Sequence, residues 1–189
     1  YKDDFLSYLK NLKFTGNIRS MQEGELCFGN EPLIRVEAPL IQAQLIETIF
    51  LNIINFHTLI ATKASRIRQI ALNDTLMEFG TRRGQEIDAA VWGARAAFIG
   101  GFDSTSNVRA GKLFDIPVSG THAHALVQTY GDEYTAFKKY AERHKNCVFL
   151  VYTFHTLKSG VPTAIKVAKE LGDTINFIGI RLDSGDIAY

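Results

Sequence analysis

The chain has 189 residues, 46% of them hydrophobic and 22% charged, with a formal net charge of +1 at pH 7. That is the balance of a soluble globular protein with a sizeable core. Near-neutrality argues against a dedicated binder of nucleic acid or another polyanion.

The two cysteines, Cys27 and Cys147, lie in the apolar settings Leu26-Cys27-Phe28 and Cys147-Val148-Phe149. These settings predict reduced core thiols in a reducing compartment, not a bridge or a zinc site. No signal peptide is legible. The apolar stretch over residues 40–64 carries Gln42, Gln44, Glu47, Asn52, Asn55, His57 and Lys63, so it does not read as a simple lipid-facing helix. The chain opens on Tyr1 and stops at Tyr189 just after a polar loop, which predicts a piece of a longer protein.

Residues 3–14 read as a short amphipathic helix, and 17–19, 25–28 and 32–37 as short strands separated by Gly16, Gly24, Gly29 and Asn30. Together, residues 1–39 predict part of a small β-rich domain. From residue 40 the apolar positions Leu45, Ile49, Ile53, Phe56 and Ile60 recur at helical spacing to about residue 68. Apolar residues on both sides predict a deeply packed helix.

Beyond it the chain alternates. Strands are predicted over 76–79, 97–99, 116–118, 148–151 and 177–180. Helices are predicted over 83–95, over 106–114 with Ser104 or Thr105 as cap, over 124–144 with a break near Gly131, and over 158–171 with a stop at Gly172. Repeated strand–helix units imply parallel strands. Each strand is followed by a polar loop, whereas the loops entering the strands are bland. Residues 40–189 therefore read as part of an α/β barrel, in preference to an open sheet, with its chemistry at the C-terminal ends of the strands. A whole barrel takes about 250 residues.

Those loops hold the candidate residues. Gly120-Thr121-His122-Ala123-His124 offers two imidazoles and a hydroxyl, and neutral imidazole acts as base or nucleophile near neutral pH. Arg82 and Arg83 suit phosphate or carboxylate, or equally a salt bridge to Glu86 or Asp88. Arg181, Asp183 and Asp186 bracket Ser184-Gly185. They would suit a sugar diol, a magnesium ion or an anionic ring substituent, or simply a hydrogen-bonded turn. No hydrolase elbow, zinc spacing or Walker-type loop occurs.

Four motifs in order then carry a resemblance: Glu78-Phe79-Gly80-Thr81-Arg82-Arg83, Gly100-Gly101-Phe102-Asp103-Ser104-Thr105-Ser106-Asn107-Val108-Arg109-Ala110-Gly111, Gly120-Thr121-His122-Ala123-His124 and Gly179-Ile180-Arg181-Leu182-Asp183-Ser184-Gly185-Asp186. Together they closely resemble nicotinate phosphoribosyltransferase across essentially the whole chain. The resemblance implies an irregular α/β barrel joined to a β-rich domain, a cytoplasmic homodimer with shared active sites, and no nucleic acid or membrane partner. The implied reaction forms nicotinate mononucleotide from nicotinate and phosphoribosyl pyrophosphate (PRPP). ATP hydrolysis drives it through a phosphohistidine, and Mg²⁺ is the cofactor.

By the same resemblance His124 is the phosphate acceptor. Thr121 and Arg181 contact nicotinate, and Phe79 stacks on its ring. Arg82 faces phosphate and Asp183 the ribose and metal region. Ser104 and Gly185 belong to the substrate wall, with Asp186 extending it. No metal ligands are assigned. The family commonly has Val-Asp-Thr-Tyr-Asp-Thr-Leu where this chain has Val151-Tyr152-Thr153-Phe154-His155-Thr156-Leu157, so Tyr152 and His155 replace two acidic residues in a loop expected to face the site. The alternatives are nicotinamide phosphoribosyltransferase, an inactive fragment or binding module that keeps the fold, and a generic barrel lyase.

Overall fold

Asp3 and Asp4 in the first turn and Lys10 in the last complement the dipole of α1 (Asp3–Asn11). This helix opens the chain in the computed structural model, which describes residues 1–184 and 187. The chain divides into two units, Tyr1–Ser119 and Gly120–Tyr189.

In the first unit, β1 (Asn17–Ser20) pairs antiparallel with β2 (Ile34–Glu37). The expected strand over 25–28 does not form. Glu25 and Glu31 instead turn back onto the N–H groups of Gln22 and Phe28 at 3.0 and 2.8 Å. Local carboxylate–backbone bonds thus replace a ladder, and Leu26 and Phe28 stay exposed. Cys27 is accordingly only half-buried, whereas Cys147 is a core thiol as expected.

The helical register from residue 40 produces α2 (Leu40–Ala71). Deep packing does not follow. Only Gln42 and Ala64 are buried, and Leu51, Leu59 and Ile70 are exposed. The reason is that one helix, α3 (Ile87–Ile99), covers it along one side. The ring of Phe56 and the Ile60 side chain meet Gly93, and Ala61 and Ala64 meet Gly100 so closely that a Cβ there would lie 2.5 Å from the Ala61 carbonyl. Among the described residues α2 is the one helix long and apolar enough to cross a membrane by length and composition.

The strands that follow are short. β3 (Met77–Glu78) pairs parallel with β4 (Ser104–Thr105), and Thr105 bridges in parallel to Val118. The strand expected over 97–99 is instead the last turn of α3, whose Ala96 and Ala97 are buried. A short buried apolar run has no periodicity with which to separate helix from strand. The strand expected over 116–118 reduces to the single bridge at Val118. α4 (Val108–Phe114) is capped by Asn107, which accepts from the Ala110 N–H at 3.0 Å, and not by Ser104 or Thr105.

The second unit comprises α5 (His124–Tyr130), α6 (Glu133–Ala141), β5 (Asn146–Leu150), a wide turn at Thr156–Gly160, α7 (Val161–Leu171) and β6 (Asn176–Arg181). The break expected near Gly131 is there: Gly131 has φ 78°, and Asp132 caps α6 by accepting from Thr135 N–H at 2.8 Å. β5 and β6 pair in parallel. Their buried face, with Val127, Phe137, Phe149, Ala164 and Val167, makes the core, in which Phe137 and Phe149 stack at 4.8 Å. The described strands form three two-stranded sheets, none of them closed. The architecture is mixed α/β.

Candidate active site

The second unit gathers polar side chains at the C-terminal ends of β5 and β6. Arg181, the last residue of β6, donates from Nη1 to Thr121 Oγ1 at 2.9 Å and from Nη2 to Asp183 Oδ2 at 2.6 Å. Tyr152, just past β5, donates its hydroxyl to the same Asp183 oxygen at 3.0 Å and presents an edge-on contact to His124, with ring centroids 4.6 Å apart at 86°. His124 Nδ1 lies 3.1 Å from Thr153 Oγ1. Thr121, His124, Arg181 and Asp183 are thus brought together. Thr153 was not singled out beforehand, since a lone threonine in a loop carries no signal of its own. Gly185 and Asp186 lie outside the described residues.

The two histidines of the 120–124 run separate cleanly. His122 is buried, and its Nε2 accepts from the Leu150 N–H at 3.0 Å. Its ring sits edge-on to Tyr140 at 4.9 Å and near Phe137 at 5.7 Å. An acceptor Nε2 requires the neutral ring with its proton on Nδ1. Burial pushes its pKa below the ordinary histidine value, with the neighbouring His124 and Arg181 adding to the effect and the Ala123 carbonyl opposing it. His122 is therefore a structural pin between the loop and the end of β5, while His124, half-buried, faces the polar cluster.

The two departures at 152 and 155 also separate. Tyr152 belongs to the cluster. His155 is exposed and caps the turn after it, its Nδ1 accepting from Lys158 N–H at 3.3 Å. That is a local task an aspartate would also perform. Gly160 ends this turn so close to β5 that a Cβ would lie 1.9 Å from the Val151 carbonyl oxygen.

In the first unit a carboxylate organises the other motif. Glu78 Oε2 accepts from the Thr105 hydroxyl at 2.6 Å, and Oε1 takes the Gly80 N–H. Thr105 Oγ1 in turn accepts from Asn107 N–H at 3.0 Å, and Asn107 Nδ2 donates to Thr81 Oγ1 at 3.2 Å. This chain of bonds fixes the turn that carries half-buried Phe79 and exposed Arg82. The salt bridges considered for Arg82 and Arg83 do not form among the described residues. Asp88 pairs with Arg109 at 3.1 Å and Glu86 caps α3. Ser104 is buried, with its hydroxyl unpartnered among the described residues. Glu78, Thr105 and Asn107 were legible only as letters within motifs.

No group of three or more histidine, cysteine, aspartate or glutamate side chains poised for a metal occurs among the described residues.

Comparison with known proteins bears on family and fold. Residues 1–55 match the family model described as the nicotinate phosphoribosyltransferase (NAPRTase) N-terminal domain, and residues 75–189 that of the NAPRTase family. The chain is 70% identical over all 189 residues to nicotinate phosphoribosyltransferase of Bacillus subtilis, covering 39% of that protein. It is 39% identical over 187 residues to a nicotinate phosphoribosyltransferase of Mycobacterium tuberculosis, covering 99% of this chain and 40% of that one. The crystal structure of human nicotinic acid phosphoribosyltransferase superposes with a TM-score of 0.87 at 30% identity, over 98% of this chain and 47% of that one. A nicotinate-nucleotide pyrophosphorylase structure from Pyrococcus furiosus gives 0.81 at 31% identity, over 91% and 43%. The chain spans about two-fifths of the length of the curated relatives it matches. By its matched segments and its fold, the chain belongs to the nicotinate phosphoribosyltransferase family.

Proposed function

We propose that this chain carries the nicotinate and phosphoryl-acceptor wall of an enzyme that joins nicotinate to PRPP, giving nicotinate mononucleotide and pyrophosphate in NAD salvage, with ATP hydrolysis coupled through His124. The observation that carries the proposal is the Thr121–Arg181–Asp183 arrangement beside His124. A guanidinium held by a hydroxyl and a carboxylate is preset to receive a planar carboxylate, the group that distinguishes nicotinate from nicotinamide. Asp183 would favour the positive charge that grows on the ribose as pyrophosphate leaves.

Phe79 would stack on the pyridine ring and Arg82 would meet phosphate. The latter role is supported by Arg82 having no ion pair among the described residues. Ser104 and Gly185 would complete the substrate wall. Mg²⁺ would be held largely by phosphate oxygens and water with Asp183 as a protein carboxylate, an arrangement that suits this ion and the sparse donor set. It would supply charge neutralisation on the leaving pyrophosphate. The full-length protein would complete an irregular α/β barrel from residue 40 onward, with residues 1–39 in the N-terminal β-rich domain, and would act as a cytoplasmic homodimer.

The His124→Ala variant of the full-length protein tests this. Loss of ATP coupling with slow uncoupled nicotinate mononucleotide formation is expected; intact coupling would overturn it. One observation favours a second reading, a PRPP-binding fold without turnover: the Tyr152 hydroxyl occupies the Asp183 carboxylate. A PRPP-dependent thermal shift without product would select it.

A further inference from the structure

β5 and β6 run parallel, and their last register pair is Leu150 with Arg181. The Val151 N–H carries the ladder one step further, donating to the Arg181 carbonyl at 3.4 Å. Side chains on a strand alternate with a period of two, so two residues onward on both chains Tyr152 stands opposite Asp183. The two meet there: the Tyr152 hydroxyl donates to Asp183 Oδ2 at 3.0 Å. The same oxygen accepts from Arg181 Nη2 at 2.6 Å. An acidic side chain at position 152, as the family commonly has, would set like charge against like at this point. The phenol supplies a donor instead.

This second tether matters because the first is weak by itself. The Asp183 side chain is 55% exposed and that of Arg181 27%. An ion pair this open is screened by water and loses rotamer entropy when held in one geometry, so it fixes little. Tyrosine has only two side-chain torsions. The Tyr152 ring is half-buried and set edge-on against His124, with centroids 4.6 Å apart and planes at 86°. Its hydroxyl is therefore a firm point from which to hold the carboxylate.

We propose that Tyr152 is a positioning residue for recognition of the pyridine carboxylate. It fixes Asp183, and Asp183 together with Thr121 fixes the plane of the Arg181 guanidinium. Thr121 Oγ1 takes Nη1 at 2.9 Å and Asp183 Oδ2 takes Nη2. The guanidinium carries five N–H donors in a rigid fork, so holding two of them sets the direction of the others. Bidentate capture of a carboxylate depends on that direction. Loss of the hydroxyl leaves charge and nearly all the volume in place but lets the fork turn. Tyr152 thus acts through Asp183 and not on the substrate. The inference rests on the reading of Arg181 as the nicotinate contact.

The test uses the full-length protein and isothermal titration calorimetry with nicotinate, which reads affinity without requiring turnover. Four forms are compared: wild type, Tyr152→Phe, Arg181→Lys and the double variant. Tyr152→Phe keeps the ring and is expected to weaken nicotinate binding roughly five- to tenfold, the worth of about one hydrogen bond to a charged group at a half-exposed site. In the Arg181→Lys background, which has no planar fork to orient, the same change is expected to have no further effect. A role in stability alone would give the same loss in both backgrounds, and that result overturns the proposal. Unchanged affinity in Tyr152→Phe alongside a loss in Arg181→Lys also overturns it and leaves Arg181 as the nicotinate contact. Unchanged affinity in Arg181→Lys, or no nicotinate binding by wild type, overturns both readings.

Discussion

His122→Ala is the perturbation whose size can be worked out most fully. The ring lies 4.9 Å from Tyr140, 5.7 Å from Phe137 and 6.5 Å from Phe149, and its Nε2 accepts from Leu150 N–H. Truncation leaves that buried N–H unpaired, at about 1–3 kcal/mol. It also opens a gap in an aromatic cluster, at about 2–3 kcal/mol by analogy with other large-to-small core changes. The sum, about 3–6 kcal/mol, is a large part of a typical stability of roughly 5–15 kcal/mol. His122→Gln can place an amide oxygen near the position of Nε2 and keep the acceptor, so its cost is about 1–2 kcal/mol, for packing alone.

Urea unfolding followed by far-ultraviolet circular dichroism reads both variants as midpoint shifts at constant slope. The pH dependence gives a second arm. The folded-state pKa is depressed, so the unfolded chain takes up a proton near pH 6.5 that the folded chain refuses. The contribution of neutral His122 is therefore complete above about pH 6.5 and is lost as pH falls below it. Wild type should lose stability more steeply there than His122→Gln. Equal costs for Ala and Gln, or parallel pH curves for wild type and Gln, would refute the pin.

Three further outcomes follow from the same geometry. Gly160→Ala, whose Cβ would lie 1.9 Å from the Val151 carbonyl oxygen, should cost upwards of about 3 kcal/mol in urea unfolding, because backbone has to move. If the proposed nicotinate site is right, Arg181→Lys in the full-length protein keeps the charge but loses the fork to Thr121 and Asp183, and should raise the KM for nicotinate by roughly 10–100-fold in steady-state kinetics. Glu78→Gln, Thr105→Val and the double variant should show a coupling of about 1–2 kcal/mol in a double-mutant cycle, since the two side chains share one bond at 2.6 Å.

Long elements with clear punctuation were legible in the sequence. The periodicity of α2, the stop at Gly172 and the break at Gly131 all appear where patterning and turn chemistry put them. The two-residue strands were not legible. Ser104–Thr105 is polar and short, so its pairing with Met77–Glu78 is set by a tertiary partner and not by local preference. The same holds at the wall. Arg181, Asp183 and His124 announced themselves by residue type, whereas Thr153, Glu78 and the pinning role of His122 exist through partners 27–29 residues away.

The wall in the second unit is also local in the order of the chain. Its longer-range described hydrogen bonds join residues 28, 29, 31 and 60 positions apart. Loop closure over such spans is nearly uniform in entropy, each doubling adding only about 0.6 kcal/mol. During synthesis at roughly 5–20 residues per second, these partners all emerge within on the order of ten seconds of Gly120. His124 and Arg181 can therefore come into one polar cluster during synthesis.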